Sequence, residues 1–227
     1  MAGVWAKRIE EMTAYVLLKG NAQLREGMHT ATDSLAQMVR TAVTETAVVR
    51  FDPSVMNPGL DTCRDGAIAV DAAECLNRVL LGHEAHRLID VQLTSDFEKC
   101  RGVIQEAFKS KSMPRRSFVY LAWTPEPEVF YYAGRGGSDA RLKLDKHGNL
   151  AFSMHQASTL SLMFPGRSRD VNDLEGAVIQ LVKAVTGKLP IHNTREEFPP
   201  LGAGAAALRR FGAVLAGVGD WIAEPYE

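Results

Sequence analysis

Two runs of strand-forming residues, separated by a short turn, constrain the fold of this chain more than any other feature. The first run covers residues 117–123 and the second covers residues 128–133, and both are rich in aromatic and β-branched side chains. Such residues favour strands, whereas the Thr-Pro-Glu-Pro segment at residues 124–127 favours a turn. The pair therefore predicts a β-hairpin, and with it an antiparallel sheet in the second half of the chain.

The first half of the chain predicts helices instead. Apolar residues recur at helical spacing from Ile9 to Leu17 and again across residues 21–49, and clear alternation of the strand type is absent before the hairpin. Interruptions of this period predict the limits of the helices: an end at Gly20, breaks at residues 52–54 and 57–59, a helix capped by Asp71, and another that starts at residues 94–96.

Turn and helix signals alternate after the hairpin. The glycine-rich residues 134–139 predict a tight turn, and Asp173 opens a helix with a regular apolar face that Gly187 ends. Small residues from Leu201 to Ile222 predict a last helix. We expect that helix to pack either on its own chain or on a second subunit, which would make a homodimer.

A polar, basic segment that contains a proline, residues 109–116, marks a boundary between the two halves. The predicted fold class is α+β, because a helical set is followed by strands and further helices. We expect a helical region over residues 1–112, which would select the substrate or partner, and a small α+β domain over residues 113–227.

Composition narrows the class of protein. The 227 residues carry 26 Lys and Arg against 27 Asp and Glu, which excludes a polybasic or strongly acidic tail protein. No apolar run is long enough to span a membrane, and the first eight residues lack the apolar core of a signal peptide. Three cysteines without Cys-x-x-Cys spacing predict reduced, buried thiols, so we expect a cytoplasmic protein with no membrane partner.

One stretch of this neutral chain is net positive. Residues 109–146 carry eight basic and four acidic side chains. A local basic face is the electrostatic footprint of a protein that binds a phosphate backbone. On charge alone, an ordinary solvated surface is the more frequent explanation.

An ordered series of motifs in the second half resembles the GIY-YIG nuclease family over about residues 116–195. The series consists of Phe118-Val119-Tyr120 on the first strand, Tyr132-Ala133-Gly134 on the second, Arg141, the helix segment Leu174-Glu175 and the segment Leu189-Pro190-Ile191-His192-Asn193. The resemblance implies a short antiparallel sheet flanked by helices. It also implies metal-dependent hydrolysis of phosphodiester bonds in DNA, with Mg²⁺ or Mn²⁺ as the cofactor.

The resemblance assigns roles that suit the chemistry. Hydrolysis of a phosphodiester requires an activated nucleophile and stabilisation of the charge on the phosphoryl oxygens. Tyr120 would orient or deprotonate the water with Tyr132 as its support, and Arg141 would hold the phosphate. Glu175 would bind the metal as a hard oxygen ligand. The expected substrate contacts are Arg135, which could also replace Arg141, together with Lys143, His147 and Asn193.

The segment around Arg141 departs from the family pattern. The family places this arginine on a helix, whereas residues 140–153 alternate around Gly148-Asn149 as a second hairpin would. The alternative function is therefore a non-catalytic module that binds nucleic acid or protein and is built on a degenerate nuclease fold.

Overall fold

A computed structural model of the chain describes residues 3–45, 57–80, 87–94, 97–109, 117–137, 156–167 and 170–216. Within these ranges, nine elements follow one another: α1 (Val4–Glu45), α2 (Asn57–Leu80), β1 (Arg87–Gln92), α3 (Phe97–Lys109), β2 (Phe118–Pro125), β3 (Glu128–Gly136), β4 (Thr159–Phe164), α4 (Val171–Thr186) and α5 (Ala203–Ala216). The predicted α+β class is confirmed.

The strands form one antiparallel sheet in the order β1-β4-β2-β3. Strands β2 and β3 are the predicted hairpin, in which Tyr120 pairs with Gly134 and Leu121 with Ala133. The register shifts between Ala122 and Trp123, where a β-bulge interrupts the ladder. Strand β4 returns beside β2, so β2 lies inside the sheet with a partner on each side.

Side chains alternate between the two faces of a strand, so the register assigns each one to a face. On one side, here called the α3 face, Ile104 of α3 packs with sheet residues in a single apolar cluster. The sheet members of that cluster are Val91, Phe118, Tyr120, Ala122, Leu160, Leu162 and Phe164. On the other side, here called the α4 face, α4 packs against β2 and β3.

The start of α1 is anchored on the α4 face by aromatic packing and by a shared carboxylate. The Trp5 ring meets the Trp123 ring edge to face, with centroids 5.4 Å apart, and Trp123 stacks on Phe130. The backbone N–H of Trp5 donates to Asp90 Oδ2 at 2.9 Å, and the Ser161 hydroxyl donates to Asp90 Oδ1 at 2.6 Å. Asp90 of β1 therefore satisfies an N–H in the first turn of α1 that has no partner within the helix.

The chain divides into two compact units. The sheet unit comprises residues 1–15 and 72–200, and the helical unit comprises residues 16–71 and 201–227. Within the helical unit, α1 and α2 meet at glycines: a Cβ atom on Gly66 would lie 2.7 Å from the Gly20 carbonyl oxygen. The N–H of Gly204 donates to Asp71 Oδ1 at 2.9 Å, which satisfies the start of α5. The division differs from the boundary expected near residue 112.

Several predicted helix limits were wrong. Gly20 does not end the first helix, because α1 continues to Glu45 and uses this glycine for its close contact with α2. Asp71 lies inside α2 rather than before it, and the side chain caps α5 instead. Helix α2 begins at Asn57, where Pro58 suits a first turn that needs no N–H. Strand β1 was not expected in the first half.

Other predictions are confirmed. Helix α3 follows residues 94–96, Gly187 ends α4 in the left-handed conformation with φ 76°, and α5 occupies the expected C-terminal segment. The three cysteines are buried and carry no disulfide. In the part of the chain that the structure describes, no helix is both long and apolar enough to cross a membrane. The alternative structures for residues 140–153 lie outside the described residues.

Candidate functional site

The two candidate tyrosines lie next to each other on the α3 face. Tyr120 of β2 and Tyr132 of β3 have ring centroids 5.9 Å apart, with an angle of 35° between the planes. Tyr120 is 2% exposed and belongs to the apolar cluster, whereas Tyr132 is half-buried at its edge. A Cβ atom at Gly134 would lie 2.6 Å from the Tyr120 hydroxyl, so only glycine leaves room for this ring position.

The candidate metal ligand forms an ion pair with a candidate phosphate ligand. Arg135 Nε lies 3.1 Å from Glu175 Oε2, and a second guanidinium nitrogen, Nη1, donates to the side-chain oxygen of Asn172. The Arg135 side chain is 45% exposed, whereas that of Glu175 is 13% exposed. Glu175 stands one turn into α4, near the helix N-terminus, where the peptide dipoles favour a negative charge.

The segment after α4 returns along the outer edge of β3. Ile191 N–H donates to Phe130 C=O at 3.0 Å, and His192 N–H donates to Tyr131 C=O at 2.8 Å. The side chain of Asn193 continues this pairing, because its oxygen accepts from Ala133 N–H at 2.9 Å and its amide donates to Ala133 C=O at 2.8 Å. Asn193 therefore holds the backbone of the Tyr132-Ala133-Gly134 motif and occupies an edge that would otherwise be unpaired.

The same return segment, defined here as residues 190–198, also contacts α4. Gln180 Nε2 donates to the Glu197 carbonyl at 2.9 Å, and Lys183 pairs with Glu196 at 2.6 Å. The backbone of Phe198 lies so close to Gly176 that a methyl group there would overlap it. Since Gly176 follows Glu175 directly, the return segment fixes the part of α4 that carries the candidate ligand.

The structure thus groups the predicted residues into two sets on opposite faces of the sheet. Tyr132 and Arg135 are three residues apart on β3, and an odd separation directs side chains to opposite faces. Arg135 pairs with Val119 in the register, whereas Tyr120 pairs with Gly134. The tyrosines therefore belong to the α3 face, and Arg135 meets Glu175 on the α4 face.

Three candidates, Arg141, Lys143 and His147, lie outside the described residues. Three residues that matter for the site were not predicted. Asn172 and Gly176 flank Glu175 on α4, and Phe198 lies against Gly176. A glycine next to the candidate ligand, inside a helix, was the available signal for close backbone packing.

The fit of a divalent cation rests on one carboxylate. Glu175 supplies a hard oxygen of the kind Mg²⁺ prefers, and an ion that keeps most of its waters needs few protein ligands. Over the described ranges, no group of three or more His, Cys, Asp or Glu side chains could hold a metal. The Glu175 oxygen that faces Arg135 would have to exchange this partner for the cation.

Comparison with known proteins supplies no family. No family model matches the chain, no curated protein matches it, and no solved structure matches it. The family resemblance therefore stays a hypothesis drawn from motifs.

Proposed function

We propose that the sheet unit is a metal-dependent endonuclease that hydrolyses phosphodiester bonds in DNA, with Arg135 and Glu175 at its centre. The ion pair between these two residues carries the proposal. It places a cation with a planar fork of donors, suited to a phosphate, beside a carboxylate suited to Mg²⁺ or Mn²⁺. In phosphodiester hydrolysis, a metal ion and a guanidinium within one site can together stabilise the charge that develops on the phosphoryl oxygens.

The order of elements supports the proposal. A hairpin with the two tyrosine motifs is followed by a strand, then by a helix that carries Glu175, and then by a segment in which Asn193 binds the second motif. The two tyrosine motifs, Glu175 and Asn193 follow one another in the order that the resemblance to GIY-YIG nucleases implies. Asn193 then acts as a positioning residue, because both hydrogen bonds of its side chain go to the backbone of Ala133.

The proposed roles follow from exposure. A cation bound at Glu175 would neutralise developing charge and lower the pKa of a bound water. Arg135, which is half exposed, would hold the phosphate. Tyr120 is buried on the opposite face, so we assign it and Tyr132 the positioning of Gly134 and of the hairpin. Arg141, Lys143 and His147 remain predicted substrate contacts.

The partner and location belong to the same proposal. The net positive charge of residues 109–146 would attract the phosphate backbone of DNA. Reduced, buried cysteines suit the cytoplasm.

Helix α5 packs within its own unit, where Ala207, Leu208 and Phe211 contact the cluster around Cys63. Size-exclusion chromatography with light scattering would measure whether a homodimer forms as well.

The test is cleavage of supercoiled plasmid and branched DNA in Mg²⁺, Mn²⁺ or EDTA. We expect metal-dependent nicking that Glu175→Gln abolishes. Glu196→Gln is the matched control, because Glu196 also pairs with a basic residue at α4 but is far more exposed. Wild-type activity in the Glu175→Gln variant, or no cleavage by the wild type, would refute the proposal.

The separation of the two faces favours a second candidate, the non-catalytic binding module. Tyr120 and Tyr132 lie on the α3 face, and Tyr120 is buried there. Neither tyrosine hydroxyl therefore reaches the α4 face, where Arg135 meets Glu175. A module of this kind would bind DNA without turnover, and Glu175→Gln would not weaken that binding.

A further inference from the structure

We propose that Gln180 of α4 is a positioning residue of the candidate site, and that it acts together with Asn193 through the return segment. The inference rests on the proposed function, because it takes the role of the Arg135–Glu175 pair from it. The return segment is attached both to the strand that carries Arg135 and to the helix that carries Glu175. It would therefore set how these two side chains meet, although the hydrogen bonds of Gln180 and Asn193 go to backbone groups elsewhere.

The first end of the return segment is fixed to β3 close to Arg135. The Asn193 side chain accepts from Ala133 N–H at 2.9 Å and donates to Ala133 C=O at 2.8 Å. Ala133 stands two residues before Arg135, so both side chains point to the same face of β3. Because Asn193 binds both backbone groups of Ala133, it fixes the strand immediately before the arginine.

The other end of the return segment is fixed to α4 close to Glu175. Gln180 Nε2 donates to Glu197 C=O at 2.9 Å, and the Phe198 backbone leaves no room for a Cβ atom at Gly176. Gly176 and Gln180 are four residues apart, so they lie on one face of the helix. The two contacts therefore hold the same face of α4, in the turn that directly follows Glu175.

The burial of Gln180 distinguishes it from the other polar contact between these elements. Gln180 is 3% exposed, and a buried amide costs free energy unless it is hydrogen-bonded. The neighbouring Val178 and Leu181 are buried and apolar, and an apolar residue at position 180 would avoid this cost. The Lys183–Glu196 pair also joins α4 to the return segment, but both of its side chains are partly exposed. Such a pair contributes little, so we assign the attachment to Gln180.

The test follows the Nε–H signal of Arg135 in the full chain by ¹⁵N NMR, with the signal assigned by its loss in Arg135→Lys. A guanidinium held by Glu175 and Asn172 should exchange its Nε proton with water slowly. We expect Gln180→Met, which keeps the shape and loses the amide, to speed this exchange roughly three- to tenfold, the factor that corresponds to one hydrogen bond. Asn193→Ala should do the same. The double variant should exchange no faster than either single variant, because one released end already frees the segment.

A matched control separates positioning from stability. Thr186 of α4 lies outside the return segment, and its hydroxyl donates to Val182 C=O at 2.8 Å. Thr186→Val should therefore lower the free energy of unfolding in urea, as the test variants do, but leave the Arg135 exchange rate unchanged. Asn193→Asp keeps the bond from Ala133 N–H and loses the donor, so its exchange rate should fall between those of wild type and Asn193→Ala.

The outcomes separate this inference from the proposed function. Fast Nε–H exchange of Arg135 in the wild type, or the wild-type rate in Gln180→Met or Asn193→Ala, would overturn the positioning role even if the protein cleaves DNA. Additive effects in the double variant, or equal acceleration by Thr186→Val, would overturn it as well. Faster exchange in the variants of a protein that cleaves no DNA would keep the positioning role and overturn the endonuclease.

Discussion

The two units of the chain are packed by opposite means. In the sheet unit, large rings fill the space between the sheet and its neighbours, and Trp5, Trp123 and Phe130 pack together on the α4 face. In the helical unit, α1 and α2 approach so closely that side chains are almost excluded, with Gly20 facing Gly66 and Gly27 facing Gly59. The first mode buries apolar area, and the second gains close contact between backbones.

This difference determines how each unit should respond to substitution. A ring-filled core loses stability when a large side chain is removed, because a cavity remains. A glycine contact loses stability when even one methyl group is added, because two backbones must separate. Removal should therefore destabilise the sheet unit most, and addition should destabilise the helical unit most.

The largest effect is expected for Trp123→Ala. This side chain is 1% exposed, stacks on Phe130 and donates to the Ser161 hydroxyl at 2.9 Å. Its loss should lower the free energy of unfolding by about 4 kcal/mol, as measured by urea denaturation. Trp123→Phe keeps a ring and should cost about half as much. A loss below about 1 kcal/mol in the alanine variant would mean that the rings do not hold this unit together.

The next effect is expected for Gly27→Ala in the helical unit. The new Cβ atom would lie 2.6 Å from Cys63 N and 2.7 Å from Cys63 Sγ, so α1 and α2 must move apart. We expect a loss of about 2 kcal/mol in urea denaturation, although alanine favours helices. Gly102→Ala is the matched control, since Gly102 of α3 has nothing within 4 Å of its Cβ position.

The control variant Gly102→Ala should change the free energy of unfolding in the opposite direction. Gly102→Ala adds the same methyl group within a helix and should raise the free energy of unfolding by up to about 1 kcal/mol. If both substitutions stabilise the protein, the close approach of α1 and α2 is not part of the folded state.

The same contrast explains how far the sequence could predict the fold. The hairpin was predictable, because strand propensity and a proline turn act on neighbouring residues. Gly20 was misinterpreted as a helix end, because local preference cannot reveal that another helix will lie against it. Asp71 does satisfy a helix start, but that of α5, 133 residues further along the chain. Long-range partners of this kind leave no local pattern.

The candidate site shows the same limit. The motifs located Glu175 and Asn193, and strand alternation could have shown that Tyr132 and Arg135 point to opposite faces. The partner of Glu175 depends on how α4 lies against β3, which no spacing in the sequence encodes. The sequence predicts Arg135 as a substrate contact that could also replace Arg141, and its ion pair with Glu175 gives it the central place in the proposal.

A third, smaller effect uses one buried thiol in each unit. Burial raises the pKa of Cys63, in the helical unit, from 9.0 to about 11, and that of Cys75, in the sheet unit, from 9.0 to about 12. As the pH rises, each thiol therefore ionises in the unfolded protein at a lower pH than in the folded protein. The loss of stability is negligible well below pH 9, begins as the pH approaches 9 and grows as the pH rises toward each folded value. At pH 10, each thiol should lower the free energy of unfolding by about 1.4 kcal/mol.

Single Cys63→Ala and Cys75→Ala variants would measure these contributions as a shallower fall in stability between pH 8 and pH 10. An unchanged slope in either variant would contradict the expected ionisation.

The thiols also report on each unit separately, because alkylation requires them to become exposed. Gly27→Ala should speed the labelling of Cys63 more than that of Cys75, and Trp123→Ala should do the reverse.

The smallest effect concerns an ion pair at the surface of the sheet unit. Arg8 of α1 holds Glu128 of β3 through two hydrogen bonds, Nε to Oε2 at 2.5 Å and Nη2 to Oε1 at 2.7 Å. Arg8→Lys keeps the charge but loses the paired geometry, and should lower the free energy of unfolding by about 0.5–1 kcal/mol. Lys7→Gln, which removes a looser pair with Glu11 at 3.8 Å, should have a smaller effect. Because salt screens the pair, 1 M NaCl should reduce the difference between Arg8→Lys and wild type.

The increase in labelling caused by Arg8→Lys should appear at Cys75 and not at Cys63, and equal increases at both thiols would show that the two units do not open independently.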